Sequence, residues 1–499
     1  MLEDYISPLG AAVIASILIA SLALFLPRLL QQKELDIPRI GEKPGIFGNT
    51  SKGNFHQNAL QLVQEGYARY KDSLYSIGTT EMDRVIVSQK FMKDFGALSR
   101  AQLHLTATRR LAGPYTGMDI AEEGDLTFLV CAGQLSQNIG RLAQPAYDEI
   151  LFALNRKLEG LQSNNGKYSV PLYMTATELI TSACASAFVG PELCRDPEWL
   201  ATATGYSMDV YMISNDLNQH YRFMYPFVAP FLASYRQVKK RFELARRLLG
   251  PLIAERRSAA DKEYPDVLHW LTKAARGRET ESDEIVKRML FLNMAAISTS
   301  GSTVTNVLLD LCARPEEMVI LREEMQAAVK ANGGITLATL NSLKKTDSYL
   351  SESRRVNSLG LMTFSRELMV PFKLSNGVTL PANTYISMTH QPMMNDPHFF
   401  PSPETFDGLR FFKLRQEKGH EDKHQFASLN PNIPNWGVGK FACPGRFWAS
   451  AQIKLLLMVL LLEFDVSYPE GQTERPVNAM NGENYSVSRT QQIVLKRRM

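Results

Sequence analysis

The chain has 499 residues, a net charge of +4, 21% charged and 45% hydrophobic residues, an ordinary globular mix long enough to bury roughly three quarters of its unfolded surface. No block of Lys and Arg builds a nucleic-acid footprint, which argues against nucleic acid as a partner. The five cysteines are odd in number, widely spaced and without a Cys-x-x-Cys pair, which argues against a disulfide framework or a structural zinc site and fits a reducing compartment.

From Leu9 to Leu26 the chain carries no charge over 18 residues. At ~1.5 Å per residue, that run and its flanks just cross a ~30 Å hydrocarbon core. Glu3 and Asp4 precede it, which does not suit a cleaved signal peptide, and it has no polar face for a core helix. Arg28, Lys33, Arg39 and Lys43 follow, placing the remainder on the cytosolic side. Residues 1–27 are therefore expected to be a membrane anchor, residues 28–54, rich in Pro and Gly, a linker, and residues 55–499 one large domain.

Alternation over Leu74 to Gln89 predicts a β-hairpin, and helical periods run from about Leu172 to Phe188, Tyr235 to Arg257 and Asp283 to Ala313. Strands return between Phe364 and Met388, with Asn376-Gly377 as a tight turn. The apolar run Leu455 to Phe464 is too short to span a bilayer and predicts a buried helix. In Phe223 to Leu232, Pro226 and Pro230 break another apolar run; a dip into the bilayer and packing in the core both fit it. The fold class is mainly α with a minor β part.

Three patterns carry chemistry. In "NWGVGKFACPGRFWASAQ", Cys443 lies among Gly437, Gly439, Pro444 and Gly445, residues that shape backbone and do not fill a core. A thiolate there is a soft, strongly donating ligand beside a helix start near Ala449, with Trp436 to cover one side. Glu352 and Arg355 stand three apart on a predicted helix and share a face. Within Asp283 to Ala313, "AAISTSGST" from Ala295 to Thr303 places small and hydroxyl residues, poor helix formers, inside an apolar helix.

In this order, these phrases resemble the cytochrome P-450 family, particularly its fungal microsomal members, over nearly the whole chain. "WGVGKFACPG" matches the family's aromatic-G-x-G-x-(R/H)-x-C-x-G at every place but one, and "PETFDGLRF" supplies Arg410 as the third member of the Glu352–Arg355 network. The resemblance implies a cytochrome P-450 fold binding heme b, with Cys443 as the iron ligand and Trp436, Gly437, Gly439, Lys440, Gly445 and Arg366 around the cofactor. It implies that Ala296, Ser298 and Thr299 serve oxygen activation. The implied activity is monooxygenation of a hydrophobic small molecule, a fungal terpenoid, polyketide or alkaloid intermediate, at the endoplasmic reticulum membrane. NADPH-cytochrome P-450 reductase, with cytochrome b5 as a further partner, would supply electrons and dock near Lys440 and Arg446. The substrate pocket is expected around Leu103 to Met118, Met208 to Phe231, Met294 to Thr303 and Leu359 to Phe364.

Three departures stand out. Ser298 replaces the acid that commonly precedes the threonine, Phe441 replaces an Arg or His two residues before the cysteine, and no Trp-x-x-x-Arg occurs in the early helix. They keep two other readings open: a heme-thiolate isomerase or dehydratase that needs no external electrons, and a heme-binding protein without turnover.

Overall fold

The computed structural model describes Ser16 and residues 35–41, 50–79, 83–258, 262–430 and 434–498. The expected anchor, residues 1–27, lies outside them apart from Ser16. Strands form in chain order as β1 (Arg39–Ile40), β2 (Leu74–Gly78), β3 (Asp83–Val87), β4 (Leu103–Leu105), β5 (Lys167–Pro171), β6 (Met362–Leu368), β7 (Phe372–Lys373), β8 (Thr379–Leu380) and β9 (Tyr385–Thr389). Four more follow: β10 (Phe464–Ser467), β11 (Ala479–Asn481), β12 (Asn484–Ser486) and β13 (Gln492–Arg497).

The longer helices are α1 (Thr50–Tyr70), α2 (Ile139–Glu159), α3 (Leu172–Val189), α4 (Pro197–Asn218) and α5 (Ala233–Ser258), then α6 (Ser282–Cys312), α7 (Pro315–Asn332), α8 (Lys344–Val356) and α9 (Arg446–Glu463). Their ends follow local chemistry. Asp196 caps α4 by accepting the Trp199 N–H at 2.8 Å, with Pro197 in the first turn, and Gly333 closes α7 in the left-handed region.

One sheet runs in the order β1-β2-β3-β9-β6-β4, with β1:β2 and β3:β9 parallel and the other pairs antiparallel. The predicted hairpin is β2 and β3, and the Asn376-Gly377 turn joins β7 to β8, with Gly377 at φ +88°. A correction falls on the expected linker at 28–54. Arg39 and Ile40 pair with Ser76 and Ile77, Arg39 also binds Asp83 at 2.6 Å, and α1 begins at Thr50. A two-residue strand has no alternation to detect, so its Pro and Gly neighbours concealed it.

The helices build one large core and the sheet covers a second. Among the described residues only α3 is long and apolar enough to cross a membrane, yet most of it is buried against α2 and α6. The run at Leu455 is likewise buried within α9. The broken run after Phe223 divides: Tyr225 and Ala229 are buried in the large core, whereas Phe223, Phe227 and Phe231 are 68%, 74% and 81% exposed.

Candidate functional site

The cysteine loop closes on itself before α9. Gly437 has φ +78°, and a Cβ there would lie 2.7 Å from the Phe441 carbonyl oxygen. This approach lets the Cys443 N–H donate to the Trp436 carbonyl at 2.6 Å. Because α9 starts at Arg446, the sulfur meets unsatisfied N–H groups of a helix terminus, those of Gly445 and Arg446. Burial pushes the Cys443 thiol up. The Gly445 N–H, the Arg354 and Arg446 guanidiniums and the Arg446 N–H oppose that rise by favouring the thiolate.

Arg354 is a group that the sequence reading missed. Its guanidinium lies 4.2 Å from the Trp436 ring centre and its Nη2 donates to the Asn435 carbonyl at 2.5 Å. The Trp436 indole N–H donates to the Phe426 carbonyl at 2.6 Å, and the Asn435 side chain bonds His390. Burial holds His390 down to about 4, against the Asn435 hydrogen bond, so the ring is neutral at physiological pH.

The structure joins Glu352, Arg355 and Arg410. Arg355 binds both Glu352 oxygens at 2.8 Å, and Arg410 Nε donates to Oε2 at 3.1 Å. Arg355 also donates to the Met394 and Pro403 carbonyls at 2.8 Å, and Arg410 to those of Pro401 and Thr405. Together they fasten the segment that leads into the cysteine loop onto α8.

On α6, Thr299 is exposed and its hydroxyl donates to the Ala295 carbonyl at 2.8 Å, while Ser298 donates to Met294 at 3.1 Å. Ala295, one turn before Thr299, is the exposed residue on the same face. Ala296 is partly buried against the large core, and its carbonyl accepts Gln452 at 3.4 Å. Gln452 also donates to Ser300 at 2.7 Å and accepts Cys184 at 3.1 Å. It thereby ties α6 to α9, the helix that begins beside Cys443.

Two guanidiniums flank the loop. Arg366 Nη2 donates to the Phe441 carbonyl at 3.4 Å, and Arg100 Nη2 to the Lys440 carbonyl at 2.7 Å. Burial lowers Arg366 to about 10, with Glu122 opposing and the like charge of Arg100 adding to the fall. Lys440 itself is exposed, with Nζ 5.8 Å from the Phe441 ring centre. Phe441 is buried against Phe364, where an Arg or His side chain would have met an aromatic cluster. Arg100 was not picked out because it lies in a polar loop with no periodic signal. The missing Trp-x-x-x-Arg coincides with an irregular segment, a short helix Leu126–Val130 passing into a π-turn at Cys131–Leu135.

These residues fit an iron porphyrin. One thiolate donor stands alone, since among the described residues no group of three or more His, Cys, Asp and Glu could hold an ion, and a macrocycle supplies its own equatorial ligands. Gly439 and Gly445 leave open space beside the loop where a Cβ would lie, and Arg100 and Arg366 suit two propionates. The cytochrome P450 family profile matches residues 154–496. The curated relatives include cytochrome P450 monooxygenase AN1598 of Emericella nidulans, 31% identical over 89% of this chain and 84% of its own. Ent-kaurene oxidase of Gibberella intermedia is 33% identical over 84% and 79%, and cytochrome P450 monooxygenase braC of Annulohypoxylon truncatum is 28% identical over the whole of both chains.

The fold and its single-thiolate centre define a heme-thiolate enzyme. The chain belongs to the cytochrome P450 family and is an oxygen-incorporating oxidoreductase. Family membership implies a redox partner and a hydrophobic substrate.

Proposed function

We propose that the protein is a membrane-anchored monooxygenase that oxidises a hydrophobic intermediate of fungal secondary metabolism. The observation that carries this reading is Cys443, held by its own N–H and faced by two helix-terminal N–H groups. Heme b, when bound, would supply oxygen activation, and Cys443 would hold its iron. Trp436, Gly437, Gly439 and Gly445 shape the loop, and Arg366 and Arg100 bind the propionates. Lys440, exposed, contributes to the docking face for NADPH-cytochrome P-450 reductase or cytochrome b5 and not to a propionate. Arg446 is half-buried and donates to the Cys443 carbonyl at 3.0 Å, so its charge serves the loop first.

Thr299 holds and passes protons on the substrate side. Ser298 has no titratable group of its own, so water or substrate hydroxyls complete that path. The substrate pocket is formed around Leu103–Met118 and Met208–Phe231, where Tyr211 is half exposed near Arg110 and Tyr173. The relatives' printed names include an ent-kaurene oxidase, which supports a terpenoid-type substrate. The exposed aromatic side chains after Tyr221 support a catalytic domain resting on the cytosolic face of the endoplasmic reticulum, beside a single-pass anchor at residues 1–27.

The carbon monoxide difference spectrum of the reduced, detergent-solubilised protein tests the reading. A strongly red-shifted Soret band is expected in the natural chain and is expected to vanish in Cys443→His. A folded natural chain that takes up no heme sinks the proposal. Turnover without reductase would instead favour the isomerase class.

A further inference from the structure

The clamp on the cysteine loop contains a charge that none of the motifs requires. Arg354 is flanked by Ser353 and Arg355 on α8, and the Glu352–Arg355 pair is complete without it. Among the described residues no carboxylate pairs with Arg354, although every one of its contacts lies in the interior of the loop: the Trp436 ring at 4.2 Å, the Phe426 ring at 5.8 Å and the Asn435 carbonyl. A half-buried guanidinium without a paired carboxylate carries a desolvation cost, and charges placed so are normally matched. The anion within reach of its field is the Cys443 sulfur, one peptide hydrogen bond further on, since Trp436 accepts the Cys443 N–H.

We propose that Arg354 is a positioning residue for the axial thiolate. Its planar guanidinium, stacked on Trp436, fixes the Asn435–Trp436 peptides that hold Cys443, and its positive charge balances the sulfur from the proximal side. The inference rests on the proposed heme-thiolate function. Outer-shell charge near a metal ligand sets reduction potential: a cation stabilises the state that has gained an electron. Lys would keep the charge but lose the stack and the forked donor, so the two contributions separate.

The test uses the full-length protein loaded with heme, in natural, Arg354→Gln and Arg354→Lys forms. Redox titration and the ferrous–carbon monoxide spectrum are read on each. Arg354→Gln is expected to shift the reduction potential to more negative values, with Arg354→Lys, which keeps the charge, close to the natural potential; both variants, which lose the stack and the forked donor, are expected to convert part of the red-shifted band to the unshifted form. Arg354→Gln with unchanged potential and band overturns the inference, and so does an equal fall in potential in both variants. If the natural chain itself gives no red-shifted band, the proposed function fails instead, so the two failures are distinguishable.

Discussion

Glu352 is fully buried and answers two guanidiniums at once, so the structural network depends on it most. Removing one member of a buried set leaves the others charged and unpaired, which costs ~3–5 kcal/mol. Glu352→Ala is therefore expected to lower stability by that order and to reduce heme retention, measured by denaturant unfolding and by heme content per chain. Glu352→Gln, which keeps an acceptor for Asp407 N–H at 3.0 Å, should fall between. An unchanged unfolding midpoint in Glu352→Ala would remove the network from the fold's supports. This trio and Cys443 were legible in sequence because each sits in a phrase whose spacing carries its geometry. Arg354 and Arg100 were not, because Arg354 differs from an ordinary surface arginine only through Trp436, 82 positions away, and Arg100 only through Lys440, 340 positions away.

Helices were legible as elements where their apolar period ran long, and their meeting points were not. α3 and α6 cross at Gly301, where an added Cβ would lie 2.8 Å from Thr177 Oγ1. The hydroxyl-rich patch reads in sequence as one surface. In the structure it divides: Thr299 is exposed, Ser300 is bound by Gln452, and Gly301 carries the crossing. Gly301→Ala should gain roughly 1 kcal/mol of helix propensity and lose about 1–3 kcal/mol by overpacking. The predicted outcome is net destabilisation that Thr177→Ala in the same chain largely relieves, since the remaining contacts there are 3.5 Å or longer. A double-mutant cycle by thermal unfolding checks it: coupling above ~0.5 kcal/mol is expected, and additive losses would show that the helices separate freely. Short strands escaped notice for the opposite reason, because β1 is defined by its partner β2 and not by its own residues.

At the scale of the whole molecule, the large aromatic display among the described residues is the broken segment between α4 and α5. Tyr221, Phe223, Phe227 and Phe231 are all more than half exposed, and Arg236, Lys239 and Lys240 follow them on the exposed side of α5. Prolines at 226 and 230 prevent a continuous helix that could bury these rings inward. Large apolar side chains beside cations suit an anionic bilayer surface, where each fully buried ring contributes about 1.5–3 kcal/mol and each nearby cation roughly 1 kcal/mol. On the proposed membrane-anchored reading, the apolar run at the amino terminus and this ridge would attach the protein independently. A chain shortened to residues 35–499 is expected to float with vesicles containing anionic lipid. The same chain carrying Phe223→Ser, Phe227→Ser and Phe231→Ser should stay below, with its carbon monoxide spectrum unchanged because these rings lie away from the cysteine loop. Flotation of both chains alike would place the second attachment elsewhere, and flotation of neither would leave the amino-terminal run to hold the protein alone, with the ridge free for a protein partner.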